Sequence, residues 1–138
     1  MRPTSATTTS PIQDKWWRSP GILYFIAAGS PPNAIKIGVS TRTTVKDRFR
    51  KIQTGNHETL ELIGVIAFDS GEFPMKDTED KERLLHIEFA AQQRFKSSTA
   101  GYEWFAASRE LLAYIAEHTT PPEKLDLPRF VATPINRQ

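Results

Sequence analysis

The chain has no cysteine in its 138 residues, which excludes disulfides, a thiolate nucleophile and cysteine-held zinc. Any metal would have to be held by carboxylate, imidazole or water. No apolar run approaches the roughly 20 residues that a spanning helix needs, so no membrane partner is expected. The N-terminus, Met1-Arg2-Pro3-Thr4-Ser5-Ala6, lacks an apolar segment suited to secretion, and the cytoplasm is the expected compartment. Internal repeats are absent. Charge of one sign is not in overall excess either, since 18 Lys and Arg stand against 16 Asp and Glu, a net charge of +2.

Distribution says more than the total. Arg42, Lys46, Arg48, Arg50 and Lys51 crowd into one short stretch against a single acid, Asp47. Such a cluster is the electrostatic footprint expected for a polyanion, and it is equally compatible with a solvated helix face. Arg42, Lys46, Arg50 and Lys51 are the candidate nucleic-acid contacts.

A hydrophobic content of 38% with 25% charged residues fits one domain with a single core. Residues 1–18 form a Thr/Ser/Pro-rich leader, expected to be disordered up to Trp16-Trp17. That tryptophan pair should either cover an edge of the domain or meet a protein partner. The domain is expected over 19–118. Two strand-like segments, 21–28 and 34–39, flank the turn-rich link Gly29-Ser30-Pro31-Pro32-Asn33 and read as a β-hairpin. A helix at about 44–54 follows, with Val45, Phe49 and Ile52 on one face and Gly55-Asn56 as its stop. Residues 60–68 form a third strand, 77–95 a second helix, 103–105 a short extended element, and 107–118 a third helix. The Pro-rich stretch 119–138 reads as a tail, loose or lying on the surface, and as a second place for a protein contact.

Several side chains invite chemical readings. Tyr24 sits mid-strand among apolar neighbours, where most tyrosines simply pack. A phenol serves as a base only if a nearby cation draws off its proton, since its free pKa is about 10. Lys36, between Ile35 and Ile37 on the paired strand, is within reach to do so, or else snorkels from a strand edge. Arg48 offers a planar fork suited to a phosphate, or to a surface acid such as Glu61. Glu82 and His86 stand one helical turn apart. A carboxylate completed by water and substrate oxygens is a normal magnesium arrangement, with the imidazole on phosphate or water, and the pair lacks the ligand set of a closed zinc site. In Glu103-Trp104-Phe105, alternation puts Trp104 opposite Glu103 and Phe105, making the aromatics core or lid. His57 lies in the polar turn Gly55-Asn56-His57-Glu58 and is a minor candidate for touching the substrate.

Taken in order, these residues resemble the GIY-YIG nuclease superfamily, and within it the short phage and bacterial branch with a Lys-Ile-Gly second motif and a Glu-Trp-Phe closing signature. The resemblance rests on Gly21-Ile22-Leu23-Tyr24, Lys36-Ile37-Gly38, Lys46-Asp47-Arg48, Gln53-Thr54-Gly55-Asn56, Glu82 through Phe89, and Tyr102-Glu103-Trp104-Phe105. It spans about residues 21–106 and departs at the second motif, where Lys36 replaces the superfamily's tyrosine. It implies an α+β fold, a small three-stranded antiparallel sheet flanked by helices. It also implies a metal-dependent endonuclease acting on nucleic acid, DNA above all, with one Mg²⁺ or Mn²⁺ ion. By the same resemblance Tyr24 orients or deprotonates the attacking water, Arg48 holds the scissile phosphate, Glu82 binds the metal and His86 assists. The competing reading is a nucleic-acid-binding module that kept the scaffold and lost turnover. A third is an effector docked to a protein through Trp16-Trp17 or the tail.

Overall fold

The computed structural model describes residues 10–29, 31–53, 59–93 and 104–132. Helix α1 (Pro11–Arg18) leads into strands β1 (Gly21–Ala28) and β2 (Ala34–Thr41), helix α2 (Val45–Gln53) and strand β3 (Leu60–Phe68). Then come α3 (Pro74–Glu88), β4 (Trp104–Ala106), α4 (Arg109–His118) and β5 (Phe130–Ala132), with 3₁₀ turns at Ala90–Gln92 and Pro122–Leu125. The fold is α+β, as expected. The strands make one five-stranded sheet, ordered β4-β2-β1-β3-β5, with every neighbouring pair antiparallel.

The three long strands are those the sequence predicts, and β1 is central. Its eight residues are all buried because helices cover the sheet on both sides. Alternation divides them: Ile22, Tyr24 and Ile26 pack with Val45 and Phe49 of α2 on one face. Leu23, Phe25 and Ala27, with Ile35 and Ile37 of β2, pack against Leu85 of α3, Phe89 just past its end, and Leu111 and Ile115 of α4 on the other. Each fully buried side chain of this size contributes about 1.5–3 kcal/mol by leaving water.

Three sequence expectations change. The sheet gains two short edge strands, since β4 pairs with Ala34–Lys36 and β5 with Leu60–Glu61. The stretch after residue 118 is not a loose tail through Ala132. Thr120 exchanges hydrogen bonds with Val65, Leu127 is buried beneath α2, and Arg129 Nε donates to Glu61 Oε2 at 2.7 Å. The third change concerns the leader, whose last part is helical. Ser10 caps α1 by accepting from the Gln13 N–H, and Pro11 fills the first helical position, where its missing N–H costs nothing.

α1 is anchored through its tryptophans. Trp16 Nε1 donates to Glu79 Oε2 at 2.7 Å and Trp17 Nε1 to Oε1 of the same carboxylate at 3.3 Å. Trp17 also meets Phe73 edge-on, with ring centroids 6.2 Å apart. The indole pair therefore covers an edge of its own domain. Among the described residues no helix is long and apolar enough to cross a membrane.

Candidate nucleic-acid interface

Everything of chemical interest gathers around β2. Tyr24 stands directly opposite Gly38 in the β1–β2 register. Its ring lies across that glycine: a Cβ on residue 38 would sit 2.6 Å from the phenol oxygen and 2.7 Å from Cζ. Any side chain there would displace the tyrosine, so a residue that normally weakens a strand is required here. Tyr24 is 0% exposed, and its ring meets Phe49 of α2 at 5.2 Å in a T-shaped contact. Arg48, one residue before Phe49 on α2, donates from Nε to the Tyr24 oxygen at 3.4 Å. The amphipathic spacing of α2 explains the meeting, because burying Val45 and Phe49 brings the neighbouring position 48 to the border between core and solvent.

The residue beside Gly38 receives the other pair. His86 of α3 sends Nε2 to the Ile37 carbonyl at 3.2 Å. A carbonyl can only accept, so this contact puts the proton on Nε2. Ile37 is the first β2 residue beyond its pairing with β4, which ends at Lys36. Glu82 lies one turn back on α3, with Oε2 3.8 Å from His86 Nε2, and each side chain is 22% exposed. Tyr24–Arg48 and Glu82–His86 thus reach consecutive residues of one strand from opposite faces of the sheet.

Lys36 shares the Tyr24 face, stands opposite Ile26 in β1 and Trp104 in β4, and is 8% exposed. Its Nζ lies 5.9 Å from the centroid of the Trp104 ring. Phe105 points to the other face and meets the His86 ring at 5.0 Å, so the alternation expected for these two aromatics holds. Tyr102 and Glu103 lie outside the described residues, as does His57 with the Gly55-Asn56 turn.

The basic cluster divides. Arg48 and Lys51 line a cleft of about 410 Å³ with Trp16, Asp47 and the hydroxyl residues Ser40 and Thr44. Arg50 is ion-paired with Asp47 on the exposed side of α2, and Lys46 is also exposed. Arg42 does structural work instead, with Nη2 donating to the Leu125 carbonyl at 3.2 Å. Glu61, an alternative partner for Arg48 on sequence grounds, is engaged by Arg129. Sequence reasoning missed Gly38 as the bed of the tyrosine, although a glycine inside a strand is itself the signal of a close approach. It also missed Glu79 and the place of Trp16 at the cleft, for which the linear sequence holds no cue.

No curated protein and no solved structure matches the chain. A protein-family model does match, that of the T5orf172 domain, over residues 21–119. This corrects the assignment to the GIY-YIG superfamily: the family model that matches this segment is that of the T5orf172 domain. The matched span opens at the first residue of β1 and closes one residue after α4, so it takes in both pairs that meet on β2. The chain belongs to the T5orf172 domain family, and its function is tied to nucleic acid.

Proposed function

We propose that the chain is a metal-dependent endonuclease that hydrolyses phosphodiester bonds, with DNA as its expected substrate. The observation that carries this reading is that the Arg48–Tyr24 and Glu82–His86 pairs reach the consecutive β2 residues Gly38 and Ile37, one from each face of the sheet. A guanidinium beside a cleft can hold a phosphate and offset the charge that grows on it in the transition state. The Tyr24 oxygen accepts from Arg48 Nε and so fixes one edge of that guanidinium. Its complete burial suits a positioning residue better than a base in contact with water.

The donor set fits a magnesium-class ion. Glu82 is a partly exposed carboxylate, and among the described residues no group of three His, Asp or Glu side chains competes with it. Magnesium and manganese accept one carboxylate completed by waters and substrate oxygens. His86, with Nε2 committed to the Ile37 carbonyl, stands beside that carboxylate as an orienting group. Held by Glu82, such an ion would supply Lewis acidity and an activated water. Lys36 adds a buried ammonium to the Tyr24 face.

A second reading, a nucleic-acid-binding module without turnover, draws on a specific observation. α3 packs against the face of the sheet opposite Tyr24. If Glu82 does not reach the phosphate held by Arg48, binding remains and hydrolysis does not. Nicking of supercoiled plasmid, with single-stranded DNA and RNA alongside, separates the two. The endonuclease reading expects cleavage with Mg²⁺ or Mn²⁺ and none with chelator. Binding without cleavage of all three substrates would establish the module.

A further inference from the structure

α1 ends at Arg18, before the first residue of the family match at position 21, yet it completes the wall of the cleft. Trp17 carries much of the docking, half-buried against Phe73 and with Lys76 Nζ 5.7 Å from its ring. Trp16 differs. It is 39% exposed and lines the cleft with Arg48 and Lys51. Its indole is held at the edge by the 2.7 Å hydrogen bond from Nε1 to Glu79, which fixes the ring without covering it. A large aromatic surface kept partly in water, beside two cations, is the combination that single-stranded nucleic-acid sites use: bases stack on the ring while the cations track the backbone.

We propose that Trp16 is a stacking platform for an unpaired nucleobase, with Lys51 and Arg48 taking the adjoining phosphates. The inference rests on the nucleic-acid reading of the same cleft and adds the substrate class, a single-stranded, frayed or extruded nucleotide. A base inside a duplex has both faces covered by its neighbours in the stack, so away from duplex ends it is the unpaired base that presents a face to an indole. The cleft, at about 410 Å³, falls within the roughly 300–1,000 Å³ range of small-ligand sites. Asp47 and the hydroxyls of Ser40 and Thr44 offer polar partners at its wall. Stacking carries no sequence code, so the preference is for unpaired structure over any particular base.

The test is fluorescence anisotropy on the full chain in chelator, with labelled thymidine and uridine single strands of about 12 nucleotides, near the upper site size of compact binding modules, and a duplex of equal length. Trp16→Ala should weaken single-strand binding about 5- to 150-fold, the range expected for one lost stacking contact, and leave duplex affinity within about twofold. Trp16→Phe, which loses the Glu79 hydrogen bond and keeps a ring, should retain most of the affinity. Single strands should also quench indole emission in the wild type and quench it less in Trp16→Phe, which keeps Trp17 and Trp104, a readout independent of whether the alanine variant folds. The two sugar arms show which nucleic acid the cleft takes, and a Trp16 effect on either supports the proposal. Equal single-strand binding by wild type and Trp16→Ala, equal losses on single strand and duplex, or a phenylalanine variant as weak as alanine would each overturn it. Chelator makes the assay blind to hydrolysis. Absent cleavage with this pattern intact condemns the endonuclease reading alone, and intact cleavage with no Trp16 effect condemns the stacking site alone.

Discussion

Tyr24 and Gly38 form a lock: the phenol ring occupies the volume that any β-carbon on its cross-strand partner would need. The glycine lets the ring lie flat across the strand, and the ring delivers its oxygen to Arg48. Two consecutive backbone positions, Ile37 and Gly38, therefore set the placement of both chemical pairs.

Gly38→Ala should expel the ring from this bed. The new methyl would meet the phenol oxygen at 2.6 Å, and Phe49 and the buried core leave the ring little room to retreat. Overpacking of this kind costs about 1–3 kcal/mol. Urea unfolding should show that loss, and a variant within about 0.5 kcal/mol of wild type would mean that the ring has another place to go.

Arg48→Ala should lower phosphodiester cleavage by about 10²- to 10³-fold, the usual loss when a donor to a developing charge is removed. Its stability should fall by no more than about 1.5 kcal/mol, because the guanidinium is exposed and what the fold loses is one long hydrogen bond to Tyr24. Tyr24→Phe preserves the contact with Phe49 and deletes only the acceptor for Nε, so its loss should be smaller. In the double variant the two losses should not add, since both act through one guanidinium. Full additivity would assign Tyr24 a separate role.

Arg42 and Lys51 belong to the same basic run and should behave differently. Lys51→Ala should reduce the salt dependence of binding by about one phosphate contact. Arg42→Ala should leave that slope unchanged and cost about 0.5–1.5 kcal/mol of stability, because its guanidinium serves the Leu125 carbonyl. A fall in the salt slope for Arg42→Ala would return it to the nucleic-acid surface.

Glu79→Ala should release both indoles and loosen α1 from α3. Limited trypsin digestion should then cut within α1, at Lys15 or Arg18, faster than in wild type, while the sheet core stays protected. Unchanged digestion would show that the contacts of Trp17 with Phe73 and Lys76, and of Arg18 with Phe73 and Glu72, hold the helix without Glu79.

Much of this architecture is legible in the sequence because its long elements carry clean periods. A continuous apolar run marks β1, alternation at its start marks β3, and the spacing of Val45, Phe49 and Ile52 marks the buried side of α2. The short edge strands, Trp104–Ala106 and Phe130–Ala132, are three residues each, too few for a period to register. α1 hides in a leader whose Thr, Ser and Pro content reads as disorder, although Ser10-Pro11 is a serviceable helix start. At the site, the one-turn spacing of Glu82 and His86 is readable directly, and their approach at 3.8 Å follows from it. That α2 and α3 lie on opposite faces is not readable, because it depends on how the crossovers run rather than on any local pattern. Short motifs can likewise be shared between families, which is why the family had to be corrected while the fold class stood.

The most direct measurement compares wild type with Glu82→Gln in plasmid nicking with Mg²⁺ or Mn²⁺, with oligonucleotide binding measured in parallel. Removal of the carboxylate charge from this partly exposed side chain should bring cleavage to background and leave binding within about twofold. Cleavage by Glu82→Gln at the wild-type rate would contradict the account, because the acid beside His86 would then have no part in the chemistry.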